Sequence, residues 1–325
     1  MRLTGTDWQA VAGREYRLQK EDTAHARFFF QPLHHFYHRN LEVLADMADY
    51  MALRMGVPVC RMFRNRENQY VTKVGGVPSV LMSLPDEKRY PSLSIGAALA
   101  EFHRRTALQD IQYFPESPVG GRVSEWINRM DALGKKYAEI QGKEHADFFE
   151  QSFLASFPYF TGCAENAIQL SVDTFIDHTD QEAAVIGHFR FSGLESLYPE
   201  NPAFWVADDR SRDLAEWLRI LAWTRSGADQ EAAAERFLDD YEAHFPLTDQ
   251  LTANLFGRLL FPLSFLECCE RYFSGSDQQD RQLLEETIRA NEEKAGACES
   301  MLTYLTKRYA HRFEAPEWLA AGGAR

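Results

Sequence analysis

The sequence predicts an α+β protein: a small sheet with one embedded helix, followed by a large and almost wholly helical remainder. Three observations carry this prediction. Between residues 10 and 84, short aromatic and β-prone runs alternate with turn-forming stretches, the pattern of strands. Within that region a single segment, residues 41–51, switches to helical spacing. From Ser94 onward nearly every periodic segment repeats at helical spacing, and the polar stretch 86–91 (DEKRYP) separates the two regimes. The expected division is therefore 1–85 for the small sheet-bearing part and 86–325 for the helical part.

In order along the chain, residues 15–20 (EYRLQK) and 26–33 (ARFFFQPL) read as strands joined by a polar turn, EDTAH. The helix that follows places Leu41, Leu44, Met47 or Ala48, and Met51 on one face, with Glu42, Asp46 and Asp49 at polar positions. Gly56 and then Pro58 end it. Residues 59–63, 69–74 and 79–84 are three further strand candidates, separated by the turns NRENQ and GGVP and imperfect in their alternation. Residues 94–105 form a clear helix with Ile95, Leu99 and Phe102 on one side. Further helices are expected at 121–142, 144–157, 163–176, 211–225, 228–243, 247–271 and 277–308. Pro202 and the strand-like run 204–206 interrupt that series once.

Composition narrows the function. Hydrophobic residues make up 45% and charged residues 26%, enough apolar material for a sizeable core. The formal net charge is -13, which argues against phosphate-driven attraction to nucleic acid or anionic lipid. The positive stretch at 61–66 is short and carries no nucleic-acid motif. Cys60, Cys163, Cys268, Cys269 and Cys298 include no CxxC pair, and neighbouring Cys268 and Cys269 diverge on a helix, so all five read as reduced or structural thiols. No run approaches 18 apolar residues and the segment MRLTGTDWQ has no apolar stretch. The expectation is synthesis and retention in a cytoplasm without membrane insertion.

Chemistry concentrates in residues 185–219. A short apolar strand at 183–186 leads into His188, and a second, at 204–207, ends at Asp208 and Asp209. Ser211 then caps a helix carrying Asp213, Leu214, Trp217 and Leu218. Carboxylates at a strand end are placed to hold a divalent ion, which would neutralise phosphate oxygens. His34 and His38 stand one helical turn apart beside His35, but no companion ligand has suitable spacing, so a solvated helix start is preferred over zinc. Trp205, Trp217 and Trp223 read as core anchors.

This segment resembles the aminoglycoside-phosphotransferase and choline-kinase-like superfamily. The pattern there is a His-Gly-Asp-x-His-x-x-Asn loop, a strand ending in a metal-binding Asp, and an Arg-Asp-Leu-Ala-like helix start. The run WVADDRSRDLAEWLR is similar, more narrowly, to the YutH-type spore coat proteins, relatives of the CotS group in endospore-forming bacteria. Leu99-x-x-Phe102-His103 resembles the Leu-x-x-Leu-His helix that opens the large lobe of these folds. The resemblance spans residues 10–310. It implies a protein-kinase-like, aminoglycoside-phosphotransferase-like two-lobe fold, with a sheet-rich N-lobe and a mainly helical C-lobe.

Carried over residue by residue, the resemblance is partial. His188 matches the first His of the catalytic loop, and Phe189 stands where Gly is expected. Arg190 occupies the position of the Asp that acts as base, Ser192 replaces the second His, and Glu195 stands where the metal-binding Asn belongs. Asp208 matches the metal-binding Asp, with Asp209 as the alternative one residue on, and Asp213 matches the helix-start Asp. Arg190 is the decisive departure, because a guanidinium cannot accept a proton near neutral pH. The small lobe has no Gly-x-Gly-x-x-Gly loop, Gly13 is isolated, and strand 26–33 carries Arg27 instead of the family lysine. Arg27 with Glu42 is a conceivable substitute, and Lys20 a weaker one.

The resemblance implies a structural component of the endospore coat on a degenerate kinase-like fold. It would be made in the mother-cell cytoplasm, deposited through contacts with other coat proteins, and work without cofactor. In that reading His188 is structural or exposed, and Asp208 is vestigial or a helix cap. Asp213 supports its loop through backbone N–H groups, and His103 is a satisfied polar group near the lobe interface. One alternative is an active phosphotransferase using ATP and Mg²⁺ held by Asp208 and Glu195. Another is a non-catalytic ligand-binding protein using the inter-lobe cleft, where Arg190 would meet a phosphate or carboxylate.

Overall fold

The computed structural model describes residues 11, 13–18, 27–85, 93–108, 111–178, 182–275 and 278–321. They group into two compact units, each with its own interior. The first runs to Ser117 and adds Ala183–Asp208 and Ala243–Phe245; the second comprises Pro118–Glu182, Asp209–Glu242 and the chain from Pro246 onward. The expected division at residue 85 falls inside the first unit.

The sheet of the first unit is organised on one strand. β1 (Arg27–Pro32), β2 (Arg61–Phe63), β3 (Val71–Val74) and β4 (Val77–Leu84) form it. β4 pairs with β1 along one edge through residues 79–84. Its other edge is shared, with β3 taking residues 77–80 and β2 taking residues 81–83. Paired on both edges, β4 is buried without a break from Ser79 to Ser83, which explains a sequence that runs apolar where alternation was sought. The β3–β4 turn uses Gly75 at φ +57° and Gly76 at φ +84°, the doubly left-handed geometry that suits a two-residue hairpin.

α1 (Leu41–Arg54) starts at Asn40, whose side chain accepts a hydrogen bond from Val43 N at 3.4 Å. It buries Leu44, Ala45, Ala48 and Met51, and packs on β2, where Arg61 pairs with Asp49 at 2.6 Å. The strand expected at 15–20 does not form over its described residues. Tyr16 instead buries its ring against Phe28 and Leu81 and donates its hydroxyl to Thr72 Oγ1 at 2.9 Å. Lys20, the turn at 21–25 and the linker 86–91 lie outside the described residues.

α2 (Ile95–Arg105) is capped by Ser94, which accepts from Ala97 N at 3.3 Å, and buries Leu99, Phe102 and His103. Just beyond its end, Leu108 N donates to Ala184 O at 2.8 Å and Thr106 Oγ1 to Ile186 O at 3.3 Å. These bonds seat a second, two-stranded sheet of β5 (Val185–His188) and β6 (Trp205–Asp208). Between the two strands lie the short helix α5 (Leu194–Leu197) and a 3-10 turn at Pro202–Phe204.

The second unit is helical: α3 (Arg122–Gln141), α4 (Phe148–Asp177), α6 (Ser211–Thr224), α7 (Gly227–Glu242), α8 (Asp249–Leu260), α9 (Leu263–Phe273), α10 (Gln278–Arg308) and α11 (Glu317–Ala321). The two helices expected at 144–157 and 163–176 are one, α4, running through Pro158. A capping box between Asp147 and Glu150 starts it, and aromatic packing carries it across the proline. Phe157 stacks on Tyr137 at 4.9 Å and Phe160 on Phe265 at 4.0 Å. The single helix expected at 247–271 is two. Phe261 adopts an extended conformation ahead of Pro262, as steric clash with the proline ring demands. Trp205 is fully buried, whereas Trp217 and Trp223 are only half-buried, so one of the three expected anchors sits in a core. All five cysteines are free thiols. Among the described residues no helix is long and apolar enough to cross a membrane.

Candidate functional site

The candidate residues sit along the β5–β6 hairpin. Every residue of both strands is buried, and the ladder sets His188 opposite Trp205 and Asp208 opposite Val185. The outer edge of β6 is satisfied by side chains. Ala207 N donates to His38 Nε2 at 2.9 Å, and Ala207 O accepts from Ser117 Oγ at 2.6 Å. Because Nε2 of His38 accepts from a backbone N–H, its ring proton sits on Nδ1, facing Glu116 Oε2 at 3.3 Å. His38 is thus a fully buried strand partner, not part of a solvated helix start; His34 and His35 are the exposed members of that group.

His188 is equally buried and equally committed. Its Nε2 lies 3.2 and 3.3 Å from the two carboxylate oxygens of Glu200, and its ring packs beside Phe102 and Phe191. Glu200 is wholly buried, and also accepts from Trp205 Nε1 at 2.8 Å. Its backbone is tied as well: Cys60 N donates to Glu200 O, and Glu200 N to Pro58 O. Burial, with the Glu200 charge beside it, pushes the Cys60 thiol up to about 12. Sequence reasoning missed Glu200, which stands in an aperiodic YPENP loop. The available signal was His188 itself, a polar ring ending an apolar strand and needing a partner.

The loop beyond His188 carries Arg190, Ser192 and Glu195 at exposed positions. Arg190 is exposed, donates to the carbonyl of Phe189 at 3.0 Å and lies 4.8 Å over the Phe189 ring. Ser192 is exposed and shares hydrogen bonds with the Ser196 hydroxyl. Gly193, at φ +107°, makes the turn into α5, on which Glu195 is exposed. This loop leaves β5 at the His188 end, whereas β6 delivers Asp208 at the other end, three strand residues or about 10 Å away. Along the ladder His188 and Asp208 therefore stand at opposite ends. On the sheet, Arg27 is exposed and Glu42 pairs with Arg64, so the suggested Arg27–Glu42 substitute is not formed.

In the second unit, Asp209 is a saturated carboxylate. One oxygen accepts from Ser211 N at 2.9 Å and from the Ser211 hydroxyl. The other accepts from Arg122 Nη1 at 2.7 Å and Arg258 Nη2 at 3.2 Å, and Arg258 Nε is bonded to Ser211 Oγ. Burial alone would raise its pKa, but the Arg258 and Arg122 guanidiniums and the Ser211 bonds outweigh burial and hold it well below the usual carboxylate range. Buried Arg210 faces Glu182 at 3.3 Å, and Asp213 is fully buried in the first turn of α6. Among the described residues no three His, Cys, Asp or Glu side chains gather as a metal cluster.

The model of the family described as "Spore coat putative kinase YutH" matches residues 10–305. The chain belongs to the YutH family. It is 29% identical to the endospore coat-associated protein YutH of Bacillus subtilis (strain 168), over 96% of this chain and 94% of that protein. Among solved structures it resembles an aminoglycoside phosphotransferase from Alicyclobacillus acidocaldarius, with a TM-score of 0.60 at 14% identity over 89% of both chains. A spectinomycin phosphotransferase gives a TM-score of 0.55 at 11% identity, covering 93% of this chain and 99% of that one. At such identities the likeness shows the fold alone, which is the α+β, aminoglycoside-phosphotransferase-like kinase fold expected from the sequence. Against the His-Gly-Asp-x-His-x-x-Asn loop of that superfamily, this YutH-family chain keeps His188 alone, and keeps it bonded to Glu200.

Proposed function

We propose that this YutH-family chain is a coat-associated protein of the endospore whose kinase-like fold works by binding other coat proteins, without phosphoryl transfer. The coat association of the Bacillus subtilis relative supports the location, with synthesis in the mother-cell cytoplasm before deposition. The observation that carries the loss of turnover is Arg190, a permanent cation where the base would stand. The residues present are a poor fit for Mg²⁺ and ATP. Asp209 has protein partners on both oxygens, Glu195 leaves from the far end of the hairpin from Asp208, and β1 offers Arg27 in place of a phosphate-holding lysine.

Calorimetric titration with ATP, with and without Mg²⁺, tests this reading. The expected result is no heat up to millimolar nucleotide. Micromolar binding that requires Mg²⁺ and disappears in both Asp208→Ala and the exposed variant Glu195→Ala would overturn it in favour of an active phosphotransferase. A fluorescent fusion in sporulating cells checks the location: signal should gather at the developing spore surface, and uniform mother-cell fluorescence in mature sporangia would contradict it.

A further inference from the structure

The second unit contains a cavity of about 210 Å³ between the start of α3, the end of α4 and the first turns of α8. Its walls are apolar: Val119, Val123, Val172 and Phe175, the last 60% exposed at the mouth. Its floor is polar but electrically spent. The Asp209 carboxylate is held by two arginines, and the oxygens of Glu182 take Arg210 and the Thr248 hydroxyl.

What remains for a ligand can be counted group by group. Gln250, nine-tenths buried, uses its amide oxygen to accept from Glu182 N at 3.0 Å. Asn254, one helical turn further along α8, uses its amide oxygen to accept from Arg122 Nη2 at 3.0 Å. Each side chain therefore keeps an NH₂ group for a guest. On α4, which packs against α8 at Gly257, Ser171 donates its hydroxyl proton to Ala167 O at 2.9 Å and Thr174 to Leu170 O at 2.7 Å. Those two hydroxyls keep only lone pairs. Two donors on α8, two acceptors on α4, and apolar walls beside them describe the complement of a primary carboxamide on a ring.

We propose that this cavity is a binding site for a small, uncharged aromatic carboxamide. The carbonyl would accept from Gln250 and Asn254, the amide NH₂ would donate to Ser171 or Thr174, and the ring would lie against the valines and Phe175. Volume agrees, since a cavity of about 150 Å³ holds benzene and the extra space suits a three-atom amide. A carboxylate would bring only acceptors to Ser171 and Thr174, whose protons are already used. An ammonium would leave the Gln250 and Asn254 NH₂ groups without acceptors. The site is independent of nucleotide binding, so its test can fail without touching the proposed function.

The test uses the full chain with three probes of one size: benzamide, benzoate and benzylamine. Saturation-transfer NMR and calorimetry should show benzamide binding with a roughly millimolar Kd, the range open to about ten non-hydrogen atoms. Benzoate and benzylamine should bind at least ~10-fold more weakly, the cost of mismatched hydrogen bonds. Val172→Trp, which fills the cavity from a half-exposed helix position, should abolish the benzamide signal while leaving the thermal midpoint unchanged. Phe175→Ala, at an exposed position, should weaken benzamide about 3-fold or more through lost ring contact. No benzamide signal at about 10 mM, equal binding of all three probes, or undiminished binding to Val172→Trp would each overturn the assignment.

Discussion

Asp209→Ala is expected to lower the unfolding free energy by about 3–5 kcal/mol, the usual cost of stranding buried charge by removing its partner. The wild-type carboxylate compensates two guanidiniums, Arg122 and Arg258, whose side chains are 13% and 9% exposed. It also accepts the first free N–H of α6, at Ser211. Alanine leaves both cations and that N–H without their acceptor. Asp209→Asn keeps an oxygen for Ser211 and should cost less, which separates the capping contribution from the charge. The two variants also differ from wild type in pH dependence. The folded-state pKa of Asp209 is depressed, so its contribution is present above the unfolded value of about 3.9 and is lost as pH falls below it. Between about pH 5 and 3 wild-type stability should therefore fall more steeply than that of Asp209→Asn. Urea unfolding at several pH values measures both effects. Parallel curves, or a loss in Asp209→Ala under about 1 kcal/mol, would mean that the arginines find other acceptors.

The fold was legible because it rests on local signals. Gly75-Gly76 marked the hairpin, Ser94 marked the start of α2, and the apolar spacing of Leu44, Ala48 and Met51 marked the buried face of α1. Failures came where tertiary packing decided. Pro158 and Pro262 look alike in sequence, yet Phe157 and Phe160 are stacked into an aromatic interior that holds α4 helical, whereas Phe261 turns extended and splits α8 from α9. The candidate site was half legible. The family resemblance singled out His188, Asp208 and Asp213, all of which are buried, and the chemistry of arginine speaks against Arg190 as a base. The partners that define the environment were not legible. Glu200, Arg122 and Arg258 obey no period, and a buried ion pair brings together residues remote in sequence. His38 shows the same limit from the other side. A histidine next to two exposed ones looked solvated, but the unpaired edge of β6 needed an acceptor, and His38 supplies it.

Glu200→Ala should be nearly as damaging, at about 3 kcal/mol or more, because the two buried groups it abandons lose the carboxylate they face. Trp205 Nε1, in a fully buried indole, loses its acceptor, and His188 loses both contacts at 3.2 and 3.3 Å. Glu200→Gln keeps one oxygen that can meet both Trp205 and His188, as Oε2 of Glu200 does, but without the charge, and should fall between Ala and wild type. Tryptophan fluorescence alongside urea unfolding would report the Trp205 environment and the stability together. A double-mutant cycle of Glu200→Gln with His188→Phe then decides what the histidine is for. If His188 is a structural clamp, the pair should show a coupling of at least 0.5 kcal/mol, the range for residues in one hydrogen-bond network. If it is a relic of a catalytic loop that merely sits nearby, the two effects should add, and His188→Phe alone should be almost free. The clamp is the result the geometry leads us to expect. A clamp of this kind would give the one loop position that still matches the kinase pattern a structural role, in the stability of the hairpin.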